Sequence, residues 1–123
     1  MKRILLVEDD FNLNETISIF LGAKGYEITP ALCGKDAISI VQKSTPPFDL
    51  ILCDINLPDI LGYDVFRMVK KIEHNTSKFI FLTAYADKVF IEDATRLGAD
   101  DYVTKPFAFE ELIMVIEKHI SAV

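Results

Sequence analysis

Four short stretches carry residues able to do polar chemistry, and each lies at the end of an apolar run. Glu8-Asp9-Asp10 follows residues 3–7 (RILLV), Asp54 follows 48–53 (FDLILC), Thr83 follows 79–82 (FIFL), and Thr104-Lys105-Pro106 follows 101–103. Brought together, Glu8, Asp9 and Asp54 are three like charges that raise one another's pKa. A hard divalent cation with oxygen ligands removes that conflict. Mg²⁺ (or Mn²⁺), held by one or two carboxylates and water, is the expected kind. Such a cation, the Lys105 ammonium and the Thr83 hydroxyl would stabilise a phosphoryl group in transfer. Asp54 is the natural nucleophile, because carboxylates form aspartyl phosphates. Alone, each signal has a plainer use. The acidic triplet serves equally as a helix cap, Asp54 as a turn residue, and Lys105 as a solvated lysine before a Pro-initiated helix. Only their arrival in one place separates the two readings.

That convergence requires particular elements. The runs at 3–7, 26–31, 48–53, 79–82 and 101–103 read as strands. The first, third and fourth are apolar along most of their length, as in central strands of a parallel sheet covered on both faces. The second contains Pro30, which cannot donate to a ladder, so it reads as an edge. Helical stripes lie between them: Leu13, Ile17, Phe20 and Leu21 with Gly25 as stop; Ala37, Ile38 and Val41, closed by Pro46-Pro47; Val65, Phe66, Val69 and Ile72; Phe90, Ile91, Ala94 and Leu97, with Asp87 as cap and Gly98 as stop; and Phe109, Leu112, Ile113, Ile116 and Ile120. Five β-α units predict a doubly wound α/β sheet of Rossmann or flavodoxin-like order, and five strands with the second at an edge favour the flavodoxin-like order 2-1-3-4-5. In such sheets ligands bind beyond the strands' carboxyl ends, where the order reverses. Neighbouring strands are ~4.8 Å apart, so Asp54 is placed between the acidic pair and Thr83.

The composition limits what else the chain does. With 123 residues it fits one domain, read as residues 1–123 with no second domain. Thirteen Lys and Arg against 19 Asp and Glu give a net charge of −6, which argues against nucleic acid binding by this domain. No apolar run reaches the ~20 residues of a membrane span, and Glu8-Asp9-Asp10 interrupts the signal-like start. Cys33 and Cys53 make neither a disulfide framework nor a metal-ligand spacing, so a reducing cytoplasm is the expected compartment. Cys53 reads as a buried thiol, and His74 and His119 belong to no cluster. Phe90 and Tyr102 are candidates for the border of a partner surface.

The segments LLVEDD (5–10), LILCDINLPDILG (50–62), FLTAYA (81–86) and ADDYVTKPF (99–107) resemble the receiver domain of two-component response regulators. By that resemblance Asp54 is the phosphoacceptor, supplied by a sensor histidine kinase, a phosphotransfer protein or a small phosphodonor. Glu8 and Asp9 match the acidic pair that holds Mg²⁺, and the Asn56 backbone carbonyl matches a third protein ligand. Thr83 and Lys105 match the groups that engage the phosphoryl oxygens. Tyr102 matches the aromatic switch residue that turns inward when Thr83 moves. Lys105-Pro106 matches a cis peptide. Asn56 and Tyr85 stand where the family tunes phosphoryl hydrolysis, and Tyr85 implies a slow rate.

The resemblance implies a phosphoacceptor that assists its own chemistry, not a turnover enzyme. It implies a downstream effector domain or target protein, and a homodimer face built from the fourth helix, fifth strand and fifth helix. Ala108 departs from the family, which often has a capping Asp or Ser there. A phosphohydrolase is disfavoured because Asn56 stands where a general acid is needed. A flavodoxin-like small-molecule binder is disfavoured because the acidic triplet replaces a phosphate loop.

Overall fold

A computed structural model describes residues 1–84 and 88–121. Strands and helices alternate: β1 (Arg3–Val7), α1 (Phe11–Ala23), β2 (Glu27–Ala31), α2 (Gly34–Lys43), β3 (Leu50–Asp54), α3 (Gly62–Lys70), β4 (Lys78–Ala84), α4 (Lys88–Leu97), β5 (Asp101–Lys105) and α5 (Phe109–His119). The five strands pair in parallel in the order β2-β1-β3-β4-β5. The expected doubly wound architecture and strand order are therefore both present, with Pro30 on an edge strand.

Side-chain alternation divides the core in two. Leu5, Val7, Ile51, Cys53, Phe79 and Phe81 face a layer that includes Ala37, Val41, Val65, Phe66 and Val69 of α2 and α3. Ile4, Leu6, Leu50, Leu52, Ile80 and Leu82 face Ile17, Leu21, Leu112 and Ile116 of α1 and α5. Every residue of β3 is buried, as a central strand with helices on both faces requires. Gly25 ends α1 with φ of 101°, while Tyr26 N–H returns to the Leu21 carbonyl at 3.2 Å. That bond removes Tyr26 from β2, which starts one residue later than expected.

Other boundaries moved in both directions. β4 includes Thr83, and β5 continues through Thr104 and Lys105, because ladder pairing extends to Thr83–Thr104 and Ala84–Lys105. Phe48 is buried ahead of β3 and does not belong to it. Leu97, expected on the buried stripe of α4, is 41% exposed and borders a groove with Tyr63, Arg67 and Arg96. Lys105-Pro106 is cis as expected, and Thr45-Pro46 is cis as well. Asp87 and Tyr85 fall outside the described residues, as do the side chains of Phe90, Ile91 and Ala94. No helix among the described residues is long and apolar enough to cross a membrane.

Candidate functional site

The acidic triplet at the end of β1 divides its labour. Asp10 caps α1, its Oδ1 accepting the Leu13 N–H at 3.1 Å. Glu8 turns inward and is 1% exposed, while Asp9 is exposed. Glu8 is fixed twice. Its N–H donates to the Ala31 carbonyl at 3.0 Å, continuing the β1–β2 ladder, and its Oε2 accepts the Asp10 N–H at 3.1 Å.

On the neighbouring strand, Val7 stands opposite Cys53, so Glu8 and Asp54 are the next residues along. Asp54 is 5% exposed, and its Oδ1 accepts the Asn56 N–H at 3.1 Å. Lys105 reaches in from the end of β5. Its Nζ lies 2.6 Å from Glu8 Oε1 and 2.8 Å from Asp54 Oδ2. Thr83 is fully buried near the end of β4, its hydroxyl donating to the Ala84 carbonyl at 3.3 Å.

These charges do not balance. Among the described residues, Glu8, Asp9 and Asp54 offer carboxylate oxygens within 4.8 Å of one another, and the Lys105 ammonium pairs with two of them. Burial pushes the Glu8 carboxyl up to about 7; bonds from Lys105 and the Asp10 N–H pull it down, and the Asp54 charge adds to the rise. For Lys105, desolvation works downward, yet its bonds to Asp54 and Glu8 outweigh it and raise the ammonium above its ordinary range. An all-oxygen set of three carboxylates has the chemistry of a hard divalent cation site.

Three residues that hold the site were not picked out from the sequence. Asn14 is a buried amide on α1 whose Nδ2 lies 3.4, 3.0 and 3.3 Å from the carbonyls of Leu6, Glu8 and Ala31. It satisfies carbonyls where β1 and β2 end. Its place three residues before Ile17, on the apolar stripe, was the signal available. Gly62 opens α3, and a Cβ there would run into the Asp54 carbonyl oxygen and lie 2.8 Å from Ile55 Cα. Glycine thus lets the helix start against the backbone of the phosphoacceptor candidate. The third, Asp59, binds backbone N–H groups of α2 from 24 and 25 residues away, which no local pattern reveals.

Of the remaining candidates, Asn56 touches the cluster through its N–H to Asp54. Tyr102 is 41% exposed on β5, and Asn56 is exposed in a one-pair bridge with Leu61. Cys53 is fully buried, and burial followed by the Asp54 and Glu8 charges pushes its thiol well above its ordinary value. His74 bonds the Val41 carbonyl at 3.2 Å, and His119 bonds Asp101 at 3.0 Å, so both serve packing. Ala108 offers α5 no side-chain cap. The Glu111 carboxylate instead accepts the Ala108 N–H at 3.4 Å, giving half of a capping box. A groove of about 560 Å³ runs along α1, β2 and α2, lined by Phe11, Pro30, Leu32 and Ile40 and by none of Glu8, Asp9 and Asp54.

Residues 4–117 match the family described as the response regulator receiver domain. The transcriptional regulatory protein CrdR of Helicobacter pylori is 37% identical over 111 residues, which cover 90% of this chain and 51% of that protein. The response regulator SaeR of Staphylococcus aureus is 34% identical over 116 residues, covering 94% of this chain and 49% of that protein. The chain thus spans about half the length of the curated relatives it matches. Among solved structures, the non-phosphorylated HemR receiver domain from Leptospira biflexa is similar with a TM-score of 0.88 at 36% identity, covering 98% of this chain and 95% of that one. The chemotaxis protein CheY4 of Vibrio cholerae gives a TM-score of 0.87 at 26% identity, covering 98% and 99%. Strand order, sequence and shape agree: this chain belongs to the response regulator receiver domain family of two-component systems.

Proposed function

We propose that residues 1–123 form one receiver unit that works as a phosphorylation-operated switch, with Asp54 accepting the phosphoryl group. The donor is a phosphohistidine on a sensor histidine kinase or phosphotransfer protein, or a small phosphodonor. An Asp54 carboxylate oxygen bonds to phosphorus while the bond from phosphorus to the donor imidazole nitrogen breaks. The imidazole leaves with that electron pair and takes up a proton.

Glu8, Asp9, Asp54 and the Asn56 carbonyl are the groups that would hold Mg²⁺ (or Mn²⁺). When bound, the cation supplies positive charge beside the carboxylates and the phosphoryl oxygens. Lys105 exchanges its Asp54 contact for the phosphoryl oxygens, and the Thr83 hydroxyl gives up the Ala84 carbonyl to donate to one of them. Tyr102 then exchanges its half-exposed position for the space that Thr83 leaves. Phosphorylation acts by favouring one of two conformations, and the changed face is that of α4, β5 and α5.

The observation that carries this reading is the Lys105 ammonium bound to two buried carboxylates, 2.6 Å from Glu8 and 2.8 Å from Asp54, beside a third at Asp9. The chain assists one transfer to itself and turns over no substrate. Its setting is the cytoplasm. Its output passes to an effector domain, a target protein or a second copy through the α4-β5-α5 face, and nucleic acid is not bound by this unit itself. By the family resemblance, Tyr85 stands where hydrolysis is tuned and is expected to slow it, so Tyr85→Ala should speed phosphate loss, read by the decay of phosphorylated protein.

The test is incubation with acetyl phosphate and Mg²⁺, followed by phosphate-affinity electrophoresis of the parent and of Asp54→Ala. A retarded band for the parent and none for the variant is expected. Equal retardation of both would overturn the assignment of Asp54.

A further inference from the structure

The turn that leaves the end of β3 is closed on itself and then fastened to a distant helix. Gly62 N–H donates to the Ile55 carbonyl at 2.8 Å, and Asn56 pairs with Leu61 in an antiparallel bridge. Residues 55–62 are thereby a closed unit with Asn56 on one limb and Asp59 near the tip. Asp59 Oδ1 accepts the Gly34 N–H and the Ile60 N–H, each at 2.9 Å, and Oδ2 accepts the Lys35 N–H at 2.8 Å.

Cys33, at the N-cap position of α2, makes no side-chain capping bond. The first N–H groups of α2 are therefore served by a carboxylate from another part of the chain, where the helix dipole also favours it. The adjacent residue adds an apolar attachment. A Cβ on Gly34 would lie 2.5 Å from Ile60 Cγ1 and 2.9 Å from Val65 Cγ2, so Ile60 occupies the space that glycine leaves. Desolvation works to raise the Asp59 carboxyl, but the N–H groups of Lys35, Gly34 and Ile60 outweigh it and hold the pKa down to about 2. The attachment is ionised throughout the range in which phosphorylation is studied.

We propose that Asp59 is a positioning residue for phosphoryl acceptance, fastening the 55–62 turn to the start of α2 so that the Asn56 backbone is held where Mg²⁺ needs it. This rests on reading Asp54 and Asn56 as part of a cation-assisted phosphoacceptor site. Asp59 is exposed and its bonds go to Gly34, Lys35 and Ile60, so it acts through the backbone of the turn. Preorganised ligands bind a cation more tightly because less order must be imposed on binding.

The test compares the parent, Asp59→Ala and Asp59→Asn in phosphorylation by acetyl phosphate at graded Mg²⁺, read by intact mass, with a urea unfolding curve for each. Asp59→Ala is expected to raise the half-saturating Mg²⁺ about threefold to tenfold, with the rate at saturating Mg²⁺ within about twofold of the parent. Asp59→Asn keeps one acceptor oxygen and falls between them. An unchanged half-saturation in both variants, whether or not the unfolding midpoint drops, reduces Asp59 to a helix cap and overturns the proposal. Failure of the parent to take up phosphoryl at any Mg²⁺ concentration removes the underlying reading and the proposal with it. That result is distinct from a parent that responds alongside variants that match it.

Discussion

The two ends of the sheet treat charge in opposite ways. At the amino ends of the strands, among the described residues, Arg3 and Glu27, and Lys78 and Asp100, stand in opposite-charge pairs. Asp49 accepts the Arg3 N–H at 2.8 Å, the Arg3 guanidinium lies 3.4 Å from Glu27 and 4.5 Å over the Phe48 ring, and Lys78 stands 4.0 Å from Asp100. These pairs are partly solvated and end loops or start strands, so folding alone accounts for them. At the carboxyl ends, among the described residues, three carboxylates cluster, and the two buried ones share the Lys105 ammonium. Folding alone gains nothing from that arrangement, because desolvated like charges cost free energy. A divalent cation bound there would relieve such an imbalance.

The contrast is sharpest for the two lysines. Lys105→Met leaves Glu8 and Asp54 without their partner, and should cost about 3 kcal/mol in urea unfolding at pH 8. Lys78→Met removes a half-exposed pair and should change stability by less than about 0.5 kcal/mol. Equal losses would mean that the two ends are equivalent.

The aspartates should differ in sign. Asp49→Ala removes a charge-assisted bond and should cost about 1–2 kcal/mol. Asp54→Asn relieves crowding while keeping the shape, and should be neutral or stabilising by up to about 1 kcal/mol, at the expense of phosphorylation. Thermal unfolding of both variants at pH 8 gives the two signs directly.

pH tests the same imbalance. Glu8 has a folded pKa of about 7, above its ordinary 4.5, so between those values the folded chain holds a proton that the unfolded chain has released. Stability contributed by that proton is complete below about 4.5 and is lost as pH rises to about 7. Unfolding curves at pH 5 and pH 8 without divalent cations should show a smaller drop for Glu8→Gln than for the parent. A drop of the same size in both would assign it elsewhere. The smallest effect expected is at α5, where Ala108→Ser supplies the missing cap and should add about 0.5–1 kcal/mol.

The strand ends were legible in the sequence because the central runs, RILLV and FDLILC, are apolar along most of their length, which marks them as inner strands and fixes which residue emerges last. Pro30 marked the edge, and the order followed from it. Glu8, Asp9, Asp54 and Lys105 could be gathered from that order alone. The fastenings were less visible because each depends on a partner remote in sequence. Asp59 meets α2 across 25 positions, and the need for glycine at 62 depends on how closely α3 approaches the Asp54 carbonyl. Asn14 was partly legible, since a lone amide on an apolar stripe has to find acceptors. Leu97 shows the limit of periodicity: a residue at helical spacing is buried only where a neighbour covers it, and here it borders a groove.

The most direct test of the charge imbalance as a phosphoryl site is peptide mapping by mass spectrometry after exposure to acetyl phosphate, with Mg²⁺ or with a chelator. The expected result is a base-labile increment of about 80 Da, the mass of one phosphoryl group bound as an acyl phosphate, confined to the peptide containing Asp54 and formed only with the cation. An increment on another peptide, one that forms equally in the chelator, or none at all would contradict it.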